Sequence, residues 1–342
     1  MNRHRNFHVW GLLKIAGWLF FAVVILLLIV IPVATSLTFK YSGGLPLGSL
    51  KYLNYIEQAQ RVLMQAFAAV WFFVLGSCFA SFLNVVAWRL PQGRSILGSS
   101  YCPTCNGKLS FRDNLPIVGW LRNEGQCSLC GVEIPIRYLW VEVILGSVFL
   151  LFALATLSTG GATLPIREPN SGWGFERVLF DPKWDLIGIL SWHLTLLLFL
   201  FTFALVELQR QRIPVSVFAI GALVGISVPF FFTDVQLVHP RWPLTQEFPL
   251  VPFSIDQPIY MLFGTLAGTA VGIWATNLKK TPYVLFAFML VGLFLGWQSV
   301  VAVFVLFFLL RIARSMPPNT AAMAATVLHL LTWRWFNLVS LQ

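Results

Sequence analysis

YVLFAFMLVGLFLGWQSVVAVFVLFFLL, residues 283–310, contains no charged side chain. About 20 apolar residues cross a bilayer core, so this stretch is long for one crossing and short for two. Gly296-Trp297-Gln298 lies at its middle and suits a tight turn. Lys279 and Lys280 precede the stretch, and Arg311 and Arg314 follow it. A hairpin puts all four cations on one side, as the positive-inside bias prefers. Two short spans are therefore predicted here.

The rest of the chain has the same character. Of 342 residues, 58% are hydrophobic and only 11% are charged, against about 25% charged in a soluble domain. So little charge cannot cover a water-facing surface of this size, which excludes a soluble enzyme, a disordered chain and a coiled coil. Further apolar segments run over about 17–39, 62–88, 138–157, 187–208, 213–232, 259–276 and, more weakly, 321–335. The predicted fold class is an all-α polytopic membrane protein of about nine transmembrane helices, or eight if 283–310 is a single span. Arg3, Arg5 and Lys14 at the head, six Lys/Arg in the 89–137 loop, and Arg210 and Arg212 place the N-terminus and both of those loops in the cytoplasm. The loops 159–186 and 233–258 hold more acids than bases and are placed outside.

The 89–137 loop carries four of the five cysteines, as two C-x2-C pairs: Cys102 with Cys105, and Cys127 with Cys130. That spacing lets a tight turn aim two sulfurs at one ion, and four thiolates make a closed tetrahedral zinc site. Gly107 and Gly131 just after the pairs suit the turns. Two disulfides, disfavoured in the cytoplasm, or four unrelated thiols are the alternatives; an iron–sulfur cluster is a further one. A site with four protein ligands is structural, with no position left for substrate. Cys78, inside an apolar span, reads as a small buried thiol.

GSCFASFLNVVAWRLPQGRS (76–95), the two C-x2-C pairs, FRDNLPIVGWL (111–121) and IPIRYLWVEVILG (134–146) occur in that order. Together they resemble the N-terminal domain of the bacterial prepilin peptidases, bifunctional leader peptidases and N-methyltransferases. The resemblance runs over about 74–146. It implies prepilin or pseudopilin-like membrane proteins as partners, in type IV pilus or type II secretion biogenesis. It implies S-adenosylmethionine as methyl donor and a location in the bacterial inner membrane, within the lipid bilayer. It also implies three parts: an anchor and external loop over 1–61, the family's N-terminal domain over 62–158, and a membrane-embedded peptidase-like domain over 187–342.

The family's peptidase half uses two aspartates, one as base on a water and one as proton donor. Two close carboxylates do this because both cannot ionise together. LFTFALVELQRQRIP (200–214) resembles the first aspartate segment, but the matching position is Glu207. GLFLGWQ (292–298) resembles the segment after the second, whose aspartate position falls near Val284. No Gly-x-Gly-Asp occurs, and no Asp or Glu follows Asp256. The reading is a degenerate dyad in which Glu207 is the one candidate catalytic acid. Its plainer role is an interfacial carboxylate paired with Arg210 or Arg212 one helical turn away. A non-catalytic paralogue that binds prepilin-like substrates or assists assembly is the alternative function.

Asp113, Asn114 and Glu142 are the substrate-binding candidates that the resemblance marks; Asp113 and Asn114 equally suit a turn before Pro116. His193 and His329 lie in apolar segments and are expected to be hydrogen-bonded within the bundle. The basic head RHRNFH reads as a topological anchor, since no basic platform with interleaved aromatics supports nucleic-acid binding. No G-x-S-x-G, H-E-x-x-H or G-x-x-x-x-G-K-[ST] occurs.

Overall fold

The protein is described by a computed structural model, over residues 55–165, 182–232, 235–236, 256–277, 284–313 and 316–334. The expected first span over about 17–39 lies outside these residues, as do most of the two loops assigned to the outer side. Among the described residues there is no strand, only two isolated bridges inside the cysteine loop. The helices are α1 (Tyr55–Arg89), α2 (Val118–Arg122), α3 (Arg137–Ala153), α4 (Trp184–Leu208), α5 (Val215–Phe231), α6 (Asp256–Asn277), α7 (Val284–Leu295), α8 (Trp297–Ala313) and α9 (Pro318–Thr332). Four helical stretches, two of them continuing α1 and α3 by a further turn, are long and apolar enough to cross a membrane: Val62–Gln92, Arg137–Ser158, Trp184–Leu208 and Pro258–Thr276. The helices α5, α7 and α8 are apolar but shorter. The chain is a multi-pass membrane protein.

The apolar composition leaves one question to packing: which face of each helix meets lipid. Leu63, Phe67 and Trp71 on α1 are exposed at 57–69%, an outer face toward acyl chains. Cys78 shares that exposed side of α1, so it is not the buried thiol expected. Helix α4 is the opposite case. Leu196, Leu197, Leu200 and Phe203 are fully buried, and α4 forms the centre around which α1, α5, α7 and α9 pack.

The 283–310 stretch does form a hairpin. Gly296 breaks it with φ +83°, and Phe288 on α7 meets Phe304 and Phe307 on α8 with ring centroids 6.4 and 5.4 Å apart. The turn is tighter than expected, because Trp297 already begins α8. The end of α7 leaves carbonyls without intrahelical partners, and in a bilayer each costs several kcal/mol. Three side chains satisfy them. Gln236 Nε2 donates to Leu293 O at 3.3 Å, Trp192 Nε1 to Phe294 O at 3.1 Å, and the Tyr260 hydroxyl to Leu295 O at 3.5 Å. A Cβ at Gly296 would overlap that Tyr260 ring.

Helices α6 and α7 pack with their backbones close together. Gly264, Gly268 and Gly272 recur every four residues and sit against Gly292, Phe288 and Leu285. Small residues at this spacing let two backbones approach, the usual basis of close packing in lipid.

Candidate functional site

Helix α1 ends in a tight turn, Leu90–Gln92, closed by Gly93 at φ +67°. The chain then builds two knuckles of one pattern. In the first, Cys102 N donates to Gly107 O at 3.0 Å and Asn106 N to Cys102 O at 2.9 Å. In the second, Cys127 N donates to Val132 O at 2.8 Å and Gly131 N to Cys127 O at 2.9 Å. Tyr101 pairs with Lys108, and Gln126 with Glu133, at the base of each. The left-handed residue is Gly131 in the second knuckle but Asn106 in the first. Gly107 is therefore not the turn glycine expected; it is small because a Cβ there would overlap the Leu129 side chain.

The four Sγ atoms of Cys102, Cys105, Cys127 and Cys130 lie within 4.8 Å of one another, and none is in a disulfide. The donor set fits one thiophilic ion held by all four. Cys102 and Cys127 are buried beneath it, while Cys105 and Cys130 are exposed. The Cys102 thiol is drawn down to about 6, chiefly by the Cys105 backbone N–H, with burial opposing. Cys130 moves the other way, up to about 12, where the Val132 N–H, which lowers it, is outweighed by burial and the neighbouring thiols, so Cys102 is the readier of the two to supply the thiolate a metal requires.

Between the knuckles, residues 110–123 fold against the membrane helices. Asp113 is tied into its own turn. Its Oδ2 accepts the Ser110 N–H at 3.0 Å and the Ser110 hydroxyl at 2.7 Å, and Oδ1 accepts Asn123 Nδ2 at 2.8 Å. These donors, the Ser110 hydroxyl first, hold the Asp113 carboxyl at about 2. Pro116-Ile117-Val118 is a γ-turn of the rarer hand: Ile117 has φ 63°, ψ −55°, and Val118 N donates to Pro116 O at 2.6 Å. A β-branched residue there is strained. Glu142, on the membrane helix α3, holds it by accepting the Ile117 N–H at 2.7 Å. The Trp120 indole locks the far side through Ile134 O at 3.2 Å.

A cavity of about 290 Å³ remains between this loop and the ends of α1 and α3. Ser81, Asn84, Asp113, Asn114, Tyr138 and Glu142 line it, beside Cys102 and Cys127. The three residues marked as substrate-binding are thus brought to one cavity, although the Asp113 oxygens serve the loop itself. Asn84 and Ser81 lie in the stretch that carries the family resemblance, but they were not marked as site residues. Asn84 is buried, and its Nδ2 has no hydrogen-bond partner. An asparagine inside an apolar span was the signal that could have found it.

Glu207 is elsewhere. It ends α4 and meets the first turn of α9: Oε2 accepts Asn319 N at 2.8 Å and Thr320 N at 3.4 Å. The expected pairing with Arg210 or Arg212 is replaced by this helix terminus and by the attraction of Arg311. The reason is tertiary. Antiparallel packing of α4 and α9 delivers two orphan N–H groups to the carboxylate. Val284 is completely buried at the start of α7. Arg334, just past α9, donates to Ala162 O, just past the α3 end, at 3.2 Å. The opposite end of α9, with Glu207, is therefore on the same side as the cysteine loop. His193 and His329 are buried against Trp333. The expected hydrogen bonds are missing at His193 Nε2 and at both His329 ring nitrogens.

Residues 74–156 match the family described as Bacterial Peptidase A24 N-terminal domain. The chain is 34% identical over 163 residues to a prepilin leader peptidase/N-methyltransferase of Myxococcus xanthus, covering 47% of this chain and 40% of that protein. A protein of the same description from Klebsiella pneumoniae is 38% identical over 86 residues, covering 23% and 38%. Another from Pseudomonas putida is 27% identical over 187 residues, covering 48% and 55%. These matches span roughly two-fifths to a little over half of the relatives. No solved structure matches the chain.

Proposed function

Because the chain belongs to the bacterial prepilin peptidase family through its N-terminal domain, we propose that it engages prepilin- or pseudopilin-like membrane proteins and no longer cleaves them. One observation carries the second half of this reading. The carboxylate at the first dyad position is spent on the α9 terminus, and the second position is the buried, apolar Val284. A dyad base must be free to take a proton from water, and its partner must share that proton. Glu207 has backbone donors on it, and no Asp or Glu follows Asp256 to serve as partner.

The first half rests on the N-terminal domain. Its cavity opens at the membrane edge, beside the buried Glu142 and Asn84, where the end of a membrane-anchored peptide would arrive. Zinc is the ion that four cysteines in two C-x2-C knuckles suit best, and it would cross-link the two ends of the loop. S-adenosylmethionine enters by family resemblance alone. In this reading the protein sits in the inner membrane with its cysteine loop in the cytoplasm and acts in pilus or type II secretion biogenesis, which the family resemblance and the positive-inside bias support.

The test is to incubate the purified protein in detergent with a prepilin-type peptide, with and without S-adenosylmethionine, and to read the products by mass spectrometry. Binding without release of the leader supports the proposal. Leader release that disappears in Glu207→Gln overturns it, since an unseen acid would then complete the dyad.

A further inference from the structure

The turn after α1 carries a second cleft, of about 670 Å³, lined by Arg89, Arg94, Lys108, Tyr101 and Asn106, and by Ser95 and the segment 97–99. Among the described residues no carboxylate lines it, although Arg89 also borders the first cavity, whose wall carries Asp113, Glu133 and Glu142. Arg89 forms its floor and is only 5% exposed. The Arg89 guanidinium donates to Ser95 O at 3.4 Å and Ser99 O at 3.0 Å and stacks over Tyr101 at 5.0 Å. These neutral partners orient the cation without neutralising it. A buried charge without a counter-ion is costly, so the site is built for an anion. Arg94 lies over the Trp88 indole at 5.0 Å, and Lys108 projects exposed from the first knuckle.

Depth selects the anion. The Ser77 hydroxyl is shared between Phe73 O of its own helix at 2.9 Å and Glu142 O of α3 at 3.1 Å, a contact that marks the antiparallel register of α1 and α3. The start of α3, Arg137, is then level with about residue 82 of α1. Phe82 is also the last large apolar side chain of α1 exposed to the outside. Arg89 lies seven residues further on, roughly 10 Å along the helix, the depth of the headgroups rather than the acyl core. Leu97, at the rim, is 82% exposed, the most exposed of the large apolar side chains among the described residues. Cations beside an apolar rim at this depth match a phosphate carried on an acyl chain.

We propose that the Arg89–Arg94–Lys108 cleft binds the phosphate headgroup of an anionic phospholipid, fastening the cysteine loop to the membrane surface. Native mass spectrometry of the full chain in detergent tests this. The protein is titrated with phosphatidylglycerol, with phosphatidylcholine of the same acyl chains, and with inorganic phosphate. Each basic residue at an anionic membrane surface is worth a factor of about five in affinity. Preferred binding of phosphatidylglycerol, weakened about 25-fold by Arg94→Gln with Lys108→Gln, is the expected result. Arg94→Gln alone, remote from the cysteines, weakens it about fivefold and guards against a loop that fails to fold; bound metal is the folding control. Equal binding of phosphatidylglycerol by wild type and variants overturns the proposal. So does inorganic phosphate binding as tightly as the lipid, which would make this a soluble-anion site.

Discussion

Glu207, the last acid of α4, accepts the backbone N–H of Asn319 at 2.8 Å and so caps the start of α9. The residue read from sequence as the one candidate catalytic acid is a brace between two helices. Its replacement by alanine leaves two N–H groups unpaired in a low-dielectric site and is expected to cost about 1–2 kcal/mol. Glu207→Gln keeps an acceptor but loses the attraction to the helix terminus and Arg311, and should cost less. Thermal unfolding in detergent reads the order: wild type most stable, then Gln, then Ala. An unchanged midpoint in the alanine variant would sink the bracing role.

Glu142 plays the same part for the cysteine loop, by holding the strained turn at Ile117. Hydrogen exchange at the Ile117 amide should be slow in the wild type and in Glu142→Gln, whose amide oxygen still accepts. It should be fast in Glu142→Leu, which orphans the donor. Protection surviving in the leucine variant would show that the loop holds the turn by itself.

One equivalent of zinc per chain is expected by elemental analysis of protein purified without chelator. Cys102→Ser or Cys127→Ser removes a buried ligand and should release the metal. Retention of a full equivalent in either variant would point to a site elsewhere.

Asp113 gives a pH signature. Its carboxyl sits at about 2, below its ordinary 3.8, because Ser110 and Asn123 donate to the ionised form. A depressed folded value means the stabilisation is fully present above about pH 4 and is lost as the pH falls toward 2. NMR titration of the carboxyl carbon should place its midpoint near 2. A midpoint near 3.8 would mean the network does not form in solution.

Gly264 and Gly292 test the α6–α7 contact. A Cβ on either would overlap the other's carbonyl oxygen, whereas one on Gly188 meets nothing closer than 3.9 Å. Gly264→Ala and Gly292→Ala should each destabilise by about 1–3 kcal/mol, and Gly188→Ala should be near neutral. Equal unfolding midpoints for all three would remove the close contact from the account.

The membrane class, the break at Gly296 and the four-cysteine cluster were legible because each rests on local pattern. Apolar run length sets a crossing, a glycine inside such a run sets a turn, and C-x2-C spacing sets a knuckle. The α6 glycine repeat was equally readable and went unused, although its four-residue spacing signals close packing in lipid. The orientation of Cys78 was not readable, because helix α1 is apolar on every side and only its neighbours determine which side meets lipid. The partners of Glu207, of the α7 carbonyls and of Ile117 were not readable either. Each lies more than 20 residues away along the chain.

The sequence by itself determined that this chain lives in a bilayer, that four thiols can gather on one ion, and that no Asp or Glu follows Asp256. Those follow from composition, spacing and a count of carboxylates. Only the tertiary structure decided what the remaining polar groups do. In a medium without water every buried donor and acceptor must find a partner across the fold. The packing assigned Glu207 to the α9 terminus, Glu142 to a strained turn, and Arg89 to a cleft that lacks a counter-ion.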